Sequence, residues 1–168
     1  MIVDSYRFLP RSFRPLYEGR GPFPGEEQPV WAPFGKRLAD SRVALLTSAG
    51  LHMRGSQAPF DLQGERERPE WGDPSLRIIA TGEDAGAIGV AHLHIDDADL
   101  LADPEIALPA NLLRTLADEG VIGAAADEHV AVMGYQDRRL EGWREATAPA
   151  IVEHLRAQQA DGLILAPA

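Results

Sequence analysis

Between Ile88 and Gln136 the chain sets out its fold class most plainly. It reads IGVAHLHIDDAD over 88–99, LPANLLRTLADEGVIG over 108–123 and AADEHVAVMGYQ over 125–136. Short apolar runs flank a helix-period segment, as in a β-α-β unit, and polar residues gather where the runs stop. Three of the five histidines, His92, His94 and His129, fall beside the two predicted strand ends. In open α/β sheets ligands bind at the carboxyl ends of strands, so these histidines are the first candidates for chemistry.

Outward from that stretch the alternation continues. VALLTSAG (43–50) reads as a fully buried first strand ending in a small-residue turn, LRIIAT (76–81) as a second strand and IGVAHLHI (88–95) as a third. Pro109 opens a helix with Leu112, Leu113, Leu116 and Ala117 on one face, and Gly120 stops it. VIGAAA and HVAVMGY supply strand character. A second helix spans about Leu140 to Gln158, with Pro149 starting or kinking it. LILAP (163–167) reads as a final buried strand. The pattern predicts an α/β domain over 41–168: a three-layer, doubly wound, mostly parallel sheet. The segment 51–75 is too long and too rich in Gly, Pro and charge for a tight connection, which marks it as functional or disordered.

Residues 1–40 differ in kind. They hold six of the thirteen prolines, interleaved with aromatics from Tyr6 to Phe34. Proline at that density forbids long helices and central strands, while the aromatics argue against a flexible linker. The segment is expected to be an extended arm packing on its own domain or a neighbouring subunit.

Charge and composition exclude several classes. The net charge is −10; residues 1–40 carry six basic and five acidic groups, leaving ten basic and twenty-one acidic for the remainder. Such a surface repels a phosphate backbone, which argues against nucleic-acid binding. No apolar run approaches the roughly 18 residues needed to span a bilayer, and no secretory h-region opens the chain, so the cytoplasm is expected. Cysteine is absent, which removes disulfides, thiolate metal sites and any thiol nucleophile from this polypeptide.

The candidate site residues follow from spacing. On a strand, His92 and His94 would share a face about 6.5–7 Å apart. H-x-H suits two ligands of one divalent metal, with Asp96, Asp97 or His129 as a third, and it equally suits histidines facing a substrate or packed structurally. His129 follows Asp127 and Glu128, whose carboxylates would tune it as an acid or base. Ser48, His52 and Arg54 after the first strand, and Tyr135 and Gln136 closing MGYQ, could line a pocket, the arginine clamping a carboxylate. Neither G-x-G-x-x-G, Walker A nor a nucleophile elbow is present, which leaves nucleotide binding unsupported.

Six strings taken in order resemble the B-type (selenoprotein) subunit of the glycine, sarcosine, betaine and D-proline reductases. They are DSYRFLPRSFRPLYE (4–18), VALLTSAGLHMRG (43–55), PEWGDPSLR (69–77), IGVAHLHI (88–95), LPANLLRTLADEGVIG (108–123) and MGYQ (133–136). The resemblance implies reductive cleavage of an α-substituted carboxylate, with a selenocysteine or cysteine attacking the carbon that bears the amine. It also implies that the U-x-x-C or C-x-x-C motif should follow a strand like LILAP, and no such motif occurs here. Four alternatives stand. A partner chain brings the thiol or selenol to a half-length subunit; or the cleft serves other chemistry, centred on His92, His94 and His129, as in a metal-dependent enzyme; or the sequence is cut short before the motif; or the chain is a non-catalytic interaction subunit. The expected ligand is a small carboxylate or amino-acid derivative, and the expected assembly a homo-oligomer or a hetero-oligomer with a Cys- or Sec-bearing subunit.

Overall fold

The computed structural model describes residues 32–68, 71–136 and 140–168, together with Arg11 and Pro15. The chain divides into two units, Met1–Pro33 and Phe34–Ala168. The architecture below is that of the second unit, and the expected N-terminal arm lies almost wholly outside the described residues.

Strand β1 (Arg42–Thr47) is the centre of a curled, mostly parallel sheet. Its sequence, RVALLT, is the near-continuous apolar run of a strand covered on both faces. On one edge β1 pairs in parallel with β5 (Ala124–Ala125) and β6 (Glu128–Ala131), and on the other with β7 (Gly162–Ala166). Beyond β6 lies β3 (Arg77–Ala80), antiparallel to it rather than parallel as α/β alternation alone implies. A separate two-stranded antiparallel ribbon joins β2 (Leu51–Met53) to β4 (Ile88–Val90). The mixed α/β character is therefore as expected. The ribbon was not: its first strand comes from the segment read as loop, and its second is the strand assigned to the main sheet.

Alternation along the strands separates the two larger of three core clusters. Val43 and Leu45 of β1 join Ile79, Leu113 and Ile122 in one cluster. Val130 and Val132 join Ile151 in another, against which Leu46, Ile78 and Leu155 pack. Neighbouring residues of one strand point to opposite faces, so these clusters cover opposite faces of the sheet. Full burial of each large aliphatic side chain stabilises the fold by about 1.5–3 kcal/mol.

Three helices matter for position. Helix α1 (Leu62–Glu67) is short, and α2 (Ala98–Ala102) shorter still. Helix α3 (Ala110–Asp118) begins where the Glu105 carboxylate accepts the Asn111 and Leu112 N–H groups, a negative charge where the helix dipole favours one. It ends before Gly120, whose φ of 72° supplies the left-handed residue that closes many helices. Ala110 and Leu113 are buried with Leu116 and Ala117 packed behind them, but Leu112 faces out, 57% exposed.

The last helix runs through a π-helical stretch, Trp143–Thr147, into α4 (Ala148–Ala157). Pro149 near the start of α4 has no N–H and crowds the carbonyl four residues back, and the widened turn accommodates both. His154 on α4 is half-buried with Nε2 3.7 Å from Glu128. β7 departs furthest from its reading. Although apolar, it is an edge strand among the described residues, with Ile164 49% and Leu165 65% exposed.

Candidate functional site

The carboxyl ends of β1, β6 and β7 converge with the end of β4, and small residues make the convergence possible. Gly50 sits at φ 67°, and a Cβ there would fall 2.1 Å from the Ala91 carbonyl oxygen. Only glycine fits that approach, which turns the chain out of β1 and lays Ala91 and His92 alongside it. At Gly134, after β6, a Cβ would come 3.2 Å from the Ser48 oxygen, 3.3 Å from the Ala168 oxygen and 3.4 Å from His92 Nε2. Ser48, Gly134, His92 and Ala168 are thus immediate neighbours. The Ser48 hydroxyl accepts the Ala168 N–H at 2.9 Å.

His92 and His94 reach this edge by a different route from the one their spacing implies. β4 stops at Val90, and the H-x-H lies in the bend that follows. The His94 N–H donates to His92 Nδ1 at 3.1 Å, a local bond that folds the bend on itself. The two rings remain neighbours, with centroids 6.0 Å apart in a T-shaped arrangement. Tyr135 adds its ring 5.6 Å from that of His94.

The residue that completes the cluster is Glu65, from the charged segment 62–68 that the sequence reading left without a role. Its Oε1 lies 3.0 Å from His94 Nε2, and its side chain is only 4% exposed whereas that of His94 is 58% exposed. Its other oxygen, Oε2, is buried without a hydrogen-bond partner.

Several bonds hold Glu65 there. Asp61 caps α1 by accepting the Gly64 N–H at 2.8 Å, and its own N–H donates to Asp73 Oδ2 at 2.9 Å. Gln136 then donates from Nε2 to the Asp73 and Met133 carbonyls at 2.9 and 3.0 Å, tying the loop to the end of β6. Burial alone would raise the Asp73 carboxyl, but its bonds from Ser75 and Asp61 outweigh that and hold it below the usual range.

These bonds fix the imidazole tautomers. His92 Nδ1 accepts a hydrogen bond, so the neutral ring carries its proton on Nε2, which is buried without a partner. Burial, then the neighbouring His94, pushes the His92 pKa down. His94 faces a carboxylate through Nε2, which directs its N–H there and leaves Nδ1 as the lone-pair nitrogen. A half-exposed imidazole backed by a buried carboxylate can take up and return a proton. It is the arrangement that orients the base in hydrolytic triads, here without an adjacent nucleophile among the described residues.

The other sequence candidates lie elsewhere. His52 pairs across the ribbon with Gly89, over which its ring sits, three residues before His92 and so about 10 Å back along the strand. Burial lowers its pKa. Arg54 is exposed; its N–H donates to the Ala87 carbonyl at 2.8 Å, and its Cγ lies 3.3 Å from where a Cβ on Gly89 would stand.

His129 is the sharpest departure. Between Val43↔Ala125 and Leu46↔Val130, two residues of β1 face four residues of the partner, so β5 and β6 form one strand broken by a bulge. The Leu45 N–H, which the bulge would orphan, donates to His129 Nδ1 at 3.2 Å. His129 Nε2 is 3.1 Å from the Thr81 hydroxyl, which donates onward to the Ala126 carbonyl at 2.9 Å. Both ring nitrogens are therefore engaged inside the sheet. The residue is fully buried, and burial pushes its pKa down to about 4. Five residues separate it from Gly134, roughly 16 Å of strand. The third ligand or second acid–base group expected of His129 is instead part of the sheet's hydrogen bonding. Among the described residues no three His, Asp or Glu side chains gather in a way that would hold a metal ion.

Comparison with known proteins now bears on this edge. The chain is 34% identical over 137 residues to the D-proline reductase subunit gamma of Acetoanaerobium sticklandii. It resembles a reductase subunit. The match takes in 82% of this chain and 52% of the relative, so the chain spans about half the length of the curated protein it matches. The similarity supports a relationship to the proline/glycine reductases without reaching the B-type selenoprotein class. No family model matches, and no solved structure does. No helix among the described residues is long and apolar enough to cross a membrane.

Proposed function

We propose that this chain is a subunit of a reductase acting on a small amino-acid derivative, D-proline or a related α-substituted carboxylate, with His94 as its proton-transfer group. The observation that carries the reading is the His94–Glu65 pair. A carboxylate buried to 4% exposure is costly unless its charge is used, and here it is devoted to a ring that faces solvent. The similarity to a D-proline reductase subunit supplies the reaction class.

Attack by a thiolate or selenolate on the carbon bearing the amine would form an S–C or Se–C bond and break the C–N bond. The departing nitrogen needs a proton; His94 Nδ1 would take it from the thiol or selenol as that group ionises and give it to the nitrogen from the side opposite Glu65. A second thiol would then take the sulfur or selenium as a disulfide or selenenyl sulfide, returning a hydrogen to the carbon. No cysteine occurs in these 168 residues, so both reducing groups would come from polypeptide outside them. His92 and Tyr135 would hold His94 in place, and Ser48 would border the ligand. Gln136, His52 and His129 take supporting places in this reading, and Arg54 stays a candidate partner for the substrate carboxylate.

Native mass spectrometry of the protein purified from its host without chelators tests the proposal. A co-purifying chain bearing cysteine or selenocysteine is expected, with a thiol-dependent loss of D-proline or a related substrate that the His94→Ala variant abolishes. A homo-oligomer with stoichiometric metal and no thiol-bearing chain would end the reductase reading.

A further inference from the structure

The helix that presents Glu65 to His94 also presents a cation. Arg68, which ends α1, follows Glu65 by three residues, so the two are neighbours on the helix surface with Cβ atoms about 5–6 Å apart. The Arg68 N–H donates to the Gly64 carbonyl at 3.0 Å, and the Arg68 carbonyl accepts the Trp71 N–H at 2.8 Å. The chain thereby turns so that the exposed guanidinium lies over the indole of Trp71, with Cζ 3.9 Å from the ring centre.

Gly64 makes room for that stack. A Cβ there would stand 2.8 Å from the Trp71 ring and 2.9 Å from a guanidinium nitrogen of Arg68. Glycine weakens a helix interior, and here it lets the stacked pair lie against the backbone beside Glu65. The other end of the stack is anchored as well. Gly72 packs on the Tyr135 carbonyl with no space for a Cβ, and the Tyr135 ring is 5.6 Å from that of His94. Contacts therefore run from the His94–Glu65 pair through Arg68 and Trp71 to Tyr135, and back to His94.

Charge indicates what this cation serves. Glu65 backs His94, and the exposed Asp96 and Asp97 follow it in the same bend. A carboxylate approaching His94 is repelled by these groups unless a fixed positive charge stands nearby. Asp61 shares the space beside Gly64 but accepts the Gly64 N–H, and no carboxylate among the described residues pairs with Arg68. A guanidinium stacked by its face keeps its edge N–H groups for a bidentate carboxylate contact, and the stacking holds it ready before the ligand arrives. Arg54 stands on the ribbon beside Gly89, and no aromatic ring among the described residues stacks on it.

We infer that Arg68, held in place by Trp71, is the specificity-determining residue that binds the substrate carboxylate while His94 serves the departing nitrogen. The assignment rests on the reductase reading of this site and chooses between its two arginine candidates.

The test uses the complex purified from the host with the polypeptide that bears its thiol or selenol. It compares D-proline as substrate with D-prolinamide, which lacks the negative charge, as competitor. In Arg68→Gln, KM for D-proline should rise about 10- to 100-fold with kcat within about threefold, the loss expected of a charge-assisted bidentate contact. The Ki of D-prolinamide should stay within about twofold of the parent, so the preference for acid over amide disappears. Arg68→Lys keeps the charge without the fork and should fall between parent and Arg68→Gln. Arg66→Gln removes the same charge from an exposed position of the same helix and should change neither constant. An unchanged preference for the acid in Arg68→Gln would overturn the assignment and leave the reductase reading intact. Loss of that preference in Arg54→Gln alone would do the same. Equal weakening of acid and amide in Arg68→Gln would reduce Arg68 to a structural contact and also overturn it. A parent complex that turns over none of D-proline, glycine, sarcosine and betaine would sink the reductase reading itself, and this assignment with it.

Discussion

His129 and His94 are the same side chain in two settings, and the difference between them separates structure from chemistry. His129 has both ring nitrogens spent within the sheet, on Leu45 and Thr81, and no exposed surface. His94 has one nitrogen held by a buried carboxylate and more than half its side chain open to solvent. In the first case the surroundings are satisfied by a neutral imidazole, so a proton is unwelcome. In the second a negative charge backs the ring and water or a ligand can reach the other side. A titratable residue is a good candidate for chemistry when its neighbours orient it without using all of it.

Removing His129 should produce the largest effect. In the His129→Ala variant the Leu45 N–H is left buried and unpaired, about 1–3 kcal/mol, and a cavity opens in the sheet. Urea denaturation should show a loss of about 4 kcal/mol. The His129→Asn variant returns an oxygen near the position of Nδ1 and should recover about half of that. Equal instability of the two would show that the bond to Leu45 is not what the residue contributes. By contrast, His94 can be changed to Gln with a loss of roughly 1 kcal/mol or less, because it is exposed and glutamine can still donate to Glu65.

The second contrast is with pH. The His129 pKa falls from 6.5 to about 4 on folding, so between those values the unfolded chain binds a proton that the native sheet refuses. Stability is then complete above pH 6.5 and is lost as pH falls toward 4, by about 3 kcal/mol at 1.4 kcal/mol per unit. His52 and His92, also lowered by burial, act in the same direction. Chemical denaturation from pH 7.5 to 4 should therefore show a falling midpoint, with a shallower slope in the His129→Asn variant. An unchanged slope in that variant would mean that the proton uptake lies elsewhere.

How much of this was legible beforehand depends on the scale of the signal. The run VALLT and the helix at 110–118 are set by local pattern, and both formed as expected. The nearness of His92 and His94 was legible too, although through a bend rather than a strand. What could not be read was long-range. The bulge at Ala126–Asp127 exists only against β1, so nothing near His129 in sequence announces that its ring replaces a ladder bond. Glu65 sits 29 residues from His94, in a segment whose charges resemble those of any solvated helix. Its one local hint is Asp61 three residues before Gly64, a capping arrangement that predicts an ordered helix within what looked like loop.

The mildest test of the comparison is also the most specific to His94. Glu65→Gln keeps the shape of the side chain and an oxygen able to accept the His94 N–H, and removes only the charge. Its effect on stability should lie within about 1 kcal/mol, since a buried carboxylate with one unpaired oxygen is itself costly and the amide lessens that cost. Proton transfer should suffer more. Without the carboxylate the imidazolium loses its stabilising partner, and turnover of the assembled enzyme should fall about 10- to 100-fold, or 1–3 kcal/mol in the barrier. The His94 ring resonances of the free subunit give a reading independent of turnover. Their chemical shifts should move in Glu65→Gln, while those of His129 stay fixed. Movement of both would mean that the substitution disturbs the fold. Movement of neither would reduce Glu65 to a structural contact, leaving His94 an exposed residue like any other.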